Sequence, residues 1–147
     1  MAIFIKQPIR SGKWTVAKAK FEISLVDPAF FLDDDNRLYL YWVCSNNAPL
    51  WGTEIDYKNG FKPIGEPVAL ISANPSNNGW EVPGDYNTRY NAAPWIEGAW
   101  LNKHDGKYYL QYACPGTEYK SYADGVYVAE SPLASKKVKA SAFCTIW

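Results

Sequence analysis

The sequence predicts an all-β protein built from four-stranded antiparallel units of the kind that form propeller blades. Three observations carry this. The chain repeats itself at a spacing of 70 residues, and it is rich in aromatic side chains, with Trp 7, Tyr 11 and Phe 6 among 147 residues. No window sustains the i, i+3, i+4 apolar spacing of an amphipathic helix. Aromatic and β-branched side chains suit a pleated, half-buried surface, so the composition leans the same way.

The repeat defines the elements in order. Ile3-Phe4-Ile5 followed by Gln7-Pro8-Ile9 is similar to Val126-Tyr127-Val128 followed by Ser131-Pro132-Leu133, so residues 1–26 read as the end of one blade. Residues 27–93 read as a full blade plus a long loop, 94–133 as most of the next blade, and 134–147 as a divergent tail. A shift of 70 places Asp27-Pro28-Ala29-Phe30-Phe31 on Glu97-Gly98-Ala99-Trp100-Leu101, Asp35 to Leu40 on Asp105 to Leu110, and Cys44 on Cys114. Each copy reads as strand, tight turn, strand. The turns are Asp35-Asn36 and Asp105-Gly106, because Asn and Gly tolerate the positive φ a short hairpin needs. Second strands are expected over 38–43 and 107–113, and third strands over 50–55 and 125–129. A fourth is expected near 67–71, after the turn Asn59-Gly60. The stretch 72–94, rich in Asn, Pro and Gly, reads as a long loop, and loops of that length in compact domains commonly carry function.

Charge and cysteine content exclude several classes. Lys+Arg 15 balances Asp+Glu 15, which removes the electrostatic case for a nucleic-acid or anionic-membrane partner. No apolar run approaches the ~20 residues of a membrane-spanning helix. The three cysteines, Cys44, Cys114 and Cys144, are odd in number and lack CxxC spacing, so they read as buried thiols rather than a disulfide or zinc framework. The single histidine, His104, has no co-ligands near it in sequence. Asp33-Asp34-Asp35-Asn36 lacks the Gly and distal Glu of a calcium loop and reads as a solvated turn. No metal ligands are assigned.

The repeat places Asp27 and Glu97 at equivalent positions, each at the start of the first strand of its unit. In a propeller that strand lines the central axis, so both carboxyls aim at the mouth of one funnel. Glycoside hydrolysis uses such carboxyl groups, one to protonate the leaving oxygen and another to act on water or attack directly. Antiparallel geometry brings Ser45-Asn46-Asn47, the long loop with Trp80, and the segment Pro115 to Tyr119 to the same edge. Asn46, Trp80, Trp95 and Tyr119 are thus the candidate sugar contacts. For the aromatic three, packing is the competing reading, because large aromatics usually serve burial.

The segment from Asp27-Pro28-Ala29-Phe30-Phe31 through Asp35-Asn36-Arg37-Leu38-Tyr39-Leu40-Tyr41-Trp42 resembles a characteristic motif of glycoside hydrolase family 43. Ile96-Glu97-Gly98-Ala99-Trp100 with Gly106-Lys107-Tyr108-Tyr109-Leu110 is similar to that family's acid motif, and Asp124 to Leu133 to the strand that follows it. The resemblance implies a five-bladed β-propeller of inverting glycosidases acting on arabinose- and xylose-containing glycans. It makes Glu97 the general acid and Asp27 the carboxylate that orients the acid and adjusts its pKa. The general base of the family lies on the first blade, for which this chain offers no candidate. Ala99 stands where the acid motif usually has Pro, and the similarity ends near Leu133.

The resemblance implies no dissociable cofactor, although a central cation such as calcium occurs in some intact members. It also suggests secretion or a periplasmic location, while Met1 to Lys6 lacks the basic-then-apolar order of a signal peptide, so compartment stays open. The leading reading is a glycosidase with carbohydrate as its partner. The alternative is a non-catalytic carbohydrate-binding or self-assembling propeller fragment, associating with further copies through exposed blade faces.

Overall fold

The computed structural model describes residues 3–5, 15–17 and 25–134. The described strands, in chain order, are β1 (Ile3–Ile5), β2 (Thr15–Ala17), β3 (Ala29–Leu32), β4 (Leu38–Trp42), β5 (Cys44–Ser45), β6 (Leu50–Asp56), β7 (Lys62–Ile71), β8 (Ile96–His104), β9 (Lys107–Cys114) and β10 (Ala123–Ala129). One 3-10 turn, Gly79–Glu81, interrupts the long loop. Among the described residues no helix is long and apolar enough to cross a membrane. The tail after Ala134, and with it Cys144, lies outside the described residues.

Two larger sheets carry the architecture. One has the order β3-β4-β6-β7, the meander expected of the first unit. Its β3–β4 turn uses Asn36 at φ 62, and its β6–β7 turn uses Gly60 at φ 94 followed by Phe61 at φ 58. The fourth strand starts five residues earlier than its apolar pattern suggested, because Lys62–Glu66 pairs on an exposed edge where no burial pattern is imposed.

The second sheet has the order β10-β9-β8-β5. Its free inner edge is covered by β5, a dipeptide that continues from β4 of the first sheet. Cys44 pairs with Glu97 and Ser45 with Ile96. A backbone that passes from one sheet to the next thus joins the two units near their axial edge.

The main core lies between the sheets. Tyr39, Tyr41, Val43 and Leu50 from the first meet Ile96, Leu101, Leu110 and Tyr112 from the second. Alternation along β4 sends Leu40 and Trp42 to the opposite face, where they pack with Ile55, Leu25, Phe30 and Trp51. Both faces of the first sheet are therefore apolar, as a blade between neighbours requires. A buried hydrogen bond from the Tyr41 hydroxyl to the Pro132 carbonyl, 2.8 Å, adds a directional tie across the core.

Asp33 departs from the reading of a solvated turn. It is 5% exposed. Lys103 Nζ lies 2.6 Å from its Oδ1, the Tyr108 hydroxyl donates to its Oδ2 at 2.6 Å, and the Asp34 amide donates at 2.7 Å. The neighbouring Asp34, Asp35 and Asn36 are exposed, so only the first residue of the acidic run is drawn into the interface.

Candidate active site

Glu97 is the second residue of β8 and is paired on both sides, with Ala113 of β9 and with Cys44 of β5. Immediately after it the β8–β9 register shifts by one residue, from Glu97↔Ala113 to Trp100↔Gln111. Gly98 sits in this bulge at φ 63, the left-handed region that L side chains enter at a cost. The bulge lets Ala99 turn into the core while Glu97 stays half-buried at the sheet's axial end.

Asp27 precedes β3 and is exposed, with φ 48 directly before Pro28. A non-glycine residue held there is uncommon, and such strain clusters at functional sites. The donor atoms of Asp27, Cys44 and Glu97 all lie within 4.8 Å of one another. The structure thus brings together the two carboxylates that the repeat placed in equivalent positions 70 residues apart.

Each oxygen of Glu97 has its own donor. The Tyr122 hydroxyl donates to Oε1 at 2.7 Å, and the Cys44 thiol faces Oε2 at 3.6 Å, within range for a weak sulfur donor. Burial, then the Asp27 charge and the bond to Glu97, push the Cys44 thiol above its ordinary range. Burial followed by the bond to Glu97 likewise raises the Tyr122 phenol. Both groups therefore stay protonated as donors at neutral pH. Among the described residues these three side chains form the one acidic-and-thiol group compact enough to hold a metal ion.

Three loops carry the side chains expected to contact sugar. Ser45 Oγ accepts from the Asn47 and Ala48 amides, shaping the turn that carries the exposed Asn46. Asn46 lines a hollow of about 160 Å³ together with Asn47, Ser72, Pro94 and Ile96, next to the Glu97 strand. Trp95, 40% exposed, is fixed by its amide donating to the Pro115 carbonyl at 2.7 Å. Tyr119 is half-buried, and Arg89 both donates to its hydroxyl at 2.9 Å and lies over its ring. Trp80 packs against the inter-sheet core, and its indole N–H is buried without an acceptor among the described residues. A larger cavity of about 440 Å³, between β7 and the face of Leu101, Leu110 and Tyr127, contains none of the carboxylate cluster.

Two contributors carried no sequence signal of their own. Tyr122 lies 25 residues beyond Glu97 and meets it only through the fold. Glu81, in the long loop, is fully buried. It accepts from the Asn74 amide, from Asn78 Nδ2 at 2.9 Å, and from the Tyr112 hydroxyl on β9. This carboxylate anchors the loop to the sheet that presents Glu97.

The family described as glycosyl hydrolases family 43 matches the chain over residues 5–143. A search of curated proteins found no match. Among solved structures, a thermostable family-43 glycoside hydrolase is 26% identical with a TM-score of 0.66, the alignment covering 87% of this chain and 42% of that one. A xylan β-1,4-xylosidase from Bacillus halodurans C-125 is 22% identical with a TM-score of 0.62, covering 89% of this chain and 23% of that one. An α-L-arabinofuranosidase from Clostridium thermocellum is 18% identical with a TM-score of 0.53, covering 86% and 34%. The chain thus spans less than half the length of each.

Proposed function

The chain belongs to glycosyl hydrolase family 43, and on that premise we propose that it carries the acid half of a glycosidase site, with Glu97 as general acid and Asp27 as the second, modulating carboxylate. The observation that carries the reading is the convergence of the Asp27 and Glu97 carboxyls within 4.8 Å at one sheet edge. Glu97 delivers a proton to the glycosidic oxygen as the bond to the sugar breaks, so the leaving group departs as an alcohol. A water molecule, activated by a separate base, attacks the opposite face and inverts the anomeric centre. The acid–base separation for inversion is roughly 6.5–9.5 Å, wider than the Asp27–Glu97 spacing, so Asp27 is not that base. The substrate class is arabinose- or xylose-containing glycan, with Asn46, Trp95 and Tyr119 contributing to its binding and Trp80 supporting the rim from behind.

The test is hydrolysis of 4-nitrophenyl α-L-arabinofuranoside and β-D-xyloside by the chain and by Glu97→Gln. Turnover that the substitution abolishes supports the acid assignment, and turnover that survives it overturns the assignment. Release of the inverted anomer, followed by proton NMR, checks the stereochemistry.

A second reading, a unit that binds glycan without turning it over, rests on the exposed Asn46 and Trp95 among the candidate sugar contacts. Measurable binding of xylan or arabinan by a folded sample with no hydrolysis would decide for it.

A further inference from the structure

We propose that Tyr122 is a positioning residue for the acid, fixing Glu97 so that Oε1 is a permanent acceptor and Oε2 is the oxygen that carries and delivers the proton. The inference rests on Glu97 being the acid.

A protonated carboxyl group has one O–H and one carbonyl-like oxygen. The Tyr122 hydroxyl donates to Oε1 at 2.7 Å, so that oxygen holds the carbonyl character and the proton resides on Oε2. The other groups around the pair are Asp27, Cys44 and Asp124. The first two share the compact cluster with Glu97, and Asp124 is close enough to Tyr122 to add to the raising of its phenol. None is a cation, and the Cys44 thiol at 3.6 Å from Oε2 is a weaker donor than the phenol on Oε1, so Tyr122 sets the preference between the two oxygens. When the proton leaves Oε2 for the glycosidic oxygen and the C–O bond breaks, Glu97 becomes a carboxylate. The existing O–H···O bond then becomes charge-assisted, and such bonds are stronger than neutral ones. Tyr122 therefore favours the transition state over the ground state, which is what raises rate rather than binding.

The hydroxyl can hold this position because its own loop is tied down. The Tyr122 amide donates to the Tyr119 carbonyl at 3.1 Å, and Ala123 begins the paired strand β10. Ser121 Oγ donates to the Gly84 carbonyl at 2.8 Å, and the Lys120 amide donates to Asp85 at 3.2 Å. The long loop thus braces the segment that braces the acid.

Two measurements test the proposal. In the chain labelled with ¹³C-glutamate, the Glu97 carboxyl carbon is titrated by NMR in the parent and in Tyr122→Phe. Losing a hydrogen bond to the charged form moves the titration to higher pH in the variant, and an unmoved titration overturns the proposal. This measurement needs no turnover, so it stands apart from the acid assignment. With an active sample, Tyr122→Phe lowers kcat on phenyl glycosides by about tenfold to a hundredfold, a fraction of what general acid catalysis supplies. It leaves KM and the rate on 2,4-dinitrophenyl glycosides nearly unchanged, because that leaving group needs no proton. An equal loss on both substrates overturns the positioning role. Glu97→Gln run beside it separates the two ideas: if it shows no leaving-group dependence, the acid assignment fails, and the NMR result for Tyr122 still stands.

Discussion

Asp33 and Tyr108, 75 residues apart and on different sheets, are joined by a buried 2.6 Å hydrogen bond. With Lys103 on the second Asp33 oxygen, the bond clamps the β3–β4 turn to the β8–β9 hairpin, at the end of the sheets opposite Asp27 and Glu97. Burial alone would raise the Asp33 carboxyl, yet the bonds from Lys103, Tyr108 and the Asp34 amide together outweigh it and hold it below its ordinary value. A depressed folded value means the clamp's contribution is fully present above the unfolded carboxyl value of about 3.9 and is lost as pH falls through the lower folded one. Asp33→Asn therefore gives a less stable protein at neutral pH that loses less further stability on acidification. Thermal melts of both proteins from about pH 7 to pH 3 check this, and parallel acid limbs would count against it.

Glu81 predicts a local failure with a remote effect. Glu81→Ala removes the carboxylate acceptor from the Asn74 amide, the Asn78 side chain and the buried Tyr112 hydroxyl, leaving Asn78 its bond to the Tyr127 hydroxyl at 3.2 Å. The expected cost is about 2–4 kcal/mol, as for several buried donors left unsatisfied. Hydrogen exchange should quicken across residues 72–94 before it does in β8 or β9. Uniform quickening would show that Glu81 supports the whole core rather than the loop.

Gly98→Ala isolates backbone strain. A Cβ there meets nothing within 4 Å, so crowding plays no part, while φ 63 penalises any L side chain. Denaturant melts should show a loss of about 1–2 kcal/mol. Because the bulge orients Glu97, activity should fall by more than the small unfolded fraction accounts for.

Gly125 faces the ring of Tyr112, with a built Cβ falling 2.6 Å from two ring carbons. Gly125→Ala must displace that ring, costing about 1–3 kcal/mol by overpacking. The ring's hydroxyl is a donor to Glu81, so the displacement also disturbs the loop anchor. A double-mutant cycle between Gly125→Ala and Glu81→Ala should give a coupling beyond about 0.5 kcal/mol, and strict additivity would deny the link.

The parts of this arrangement that were legible in the sequence are those with a period or a repeat. Runs rich in Tyr, Leu and Val marked β4 and β9, Asn36 and Gly106 marked the hairpins, and the 70-residue shift paired Asp27 with Glu97. The cross-sheet dipeptide β5 was not legible, since two residues carry no period. Glu81 sits among Asn, Pro and Gly, where a charged residue ordinarily faces water. Its burial depends on donors contributed by β9. Tyr122 lies in the polar run Lys120 to Asp124, and its partner is set by how two loops close. Asp33 looked like its three polar neighbours because only the second sheet distinguishes them.

Cys44-Ser45 has a mechanical consequence. The same stretch of backbone leaves β4 in one sheet and hydrogen-bonds β8 in the next, directly opposite Glu97. It acts as a rivet at the Glu97 end of the sheets, while the Asp33 clamp fastens the far end. With both ends fastened, the two sheets cannot rock about their shared core without breaking one joint. The gap between the carboxyls is therefore a property of the joinery between blades, and a substitution that loosens either fastening would be felt as a change in the chemistry.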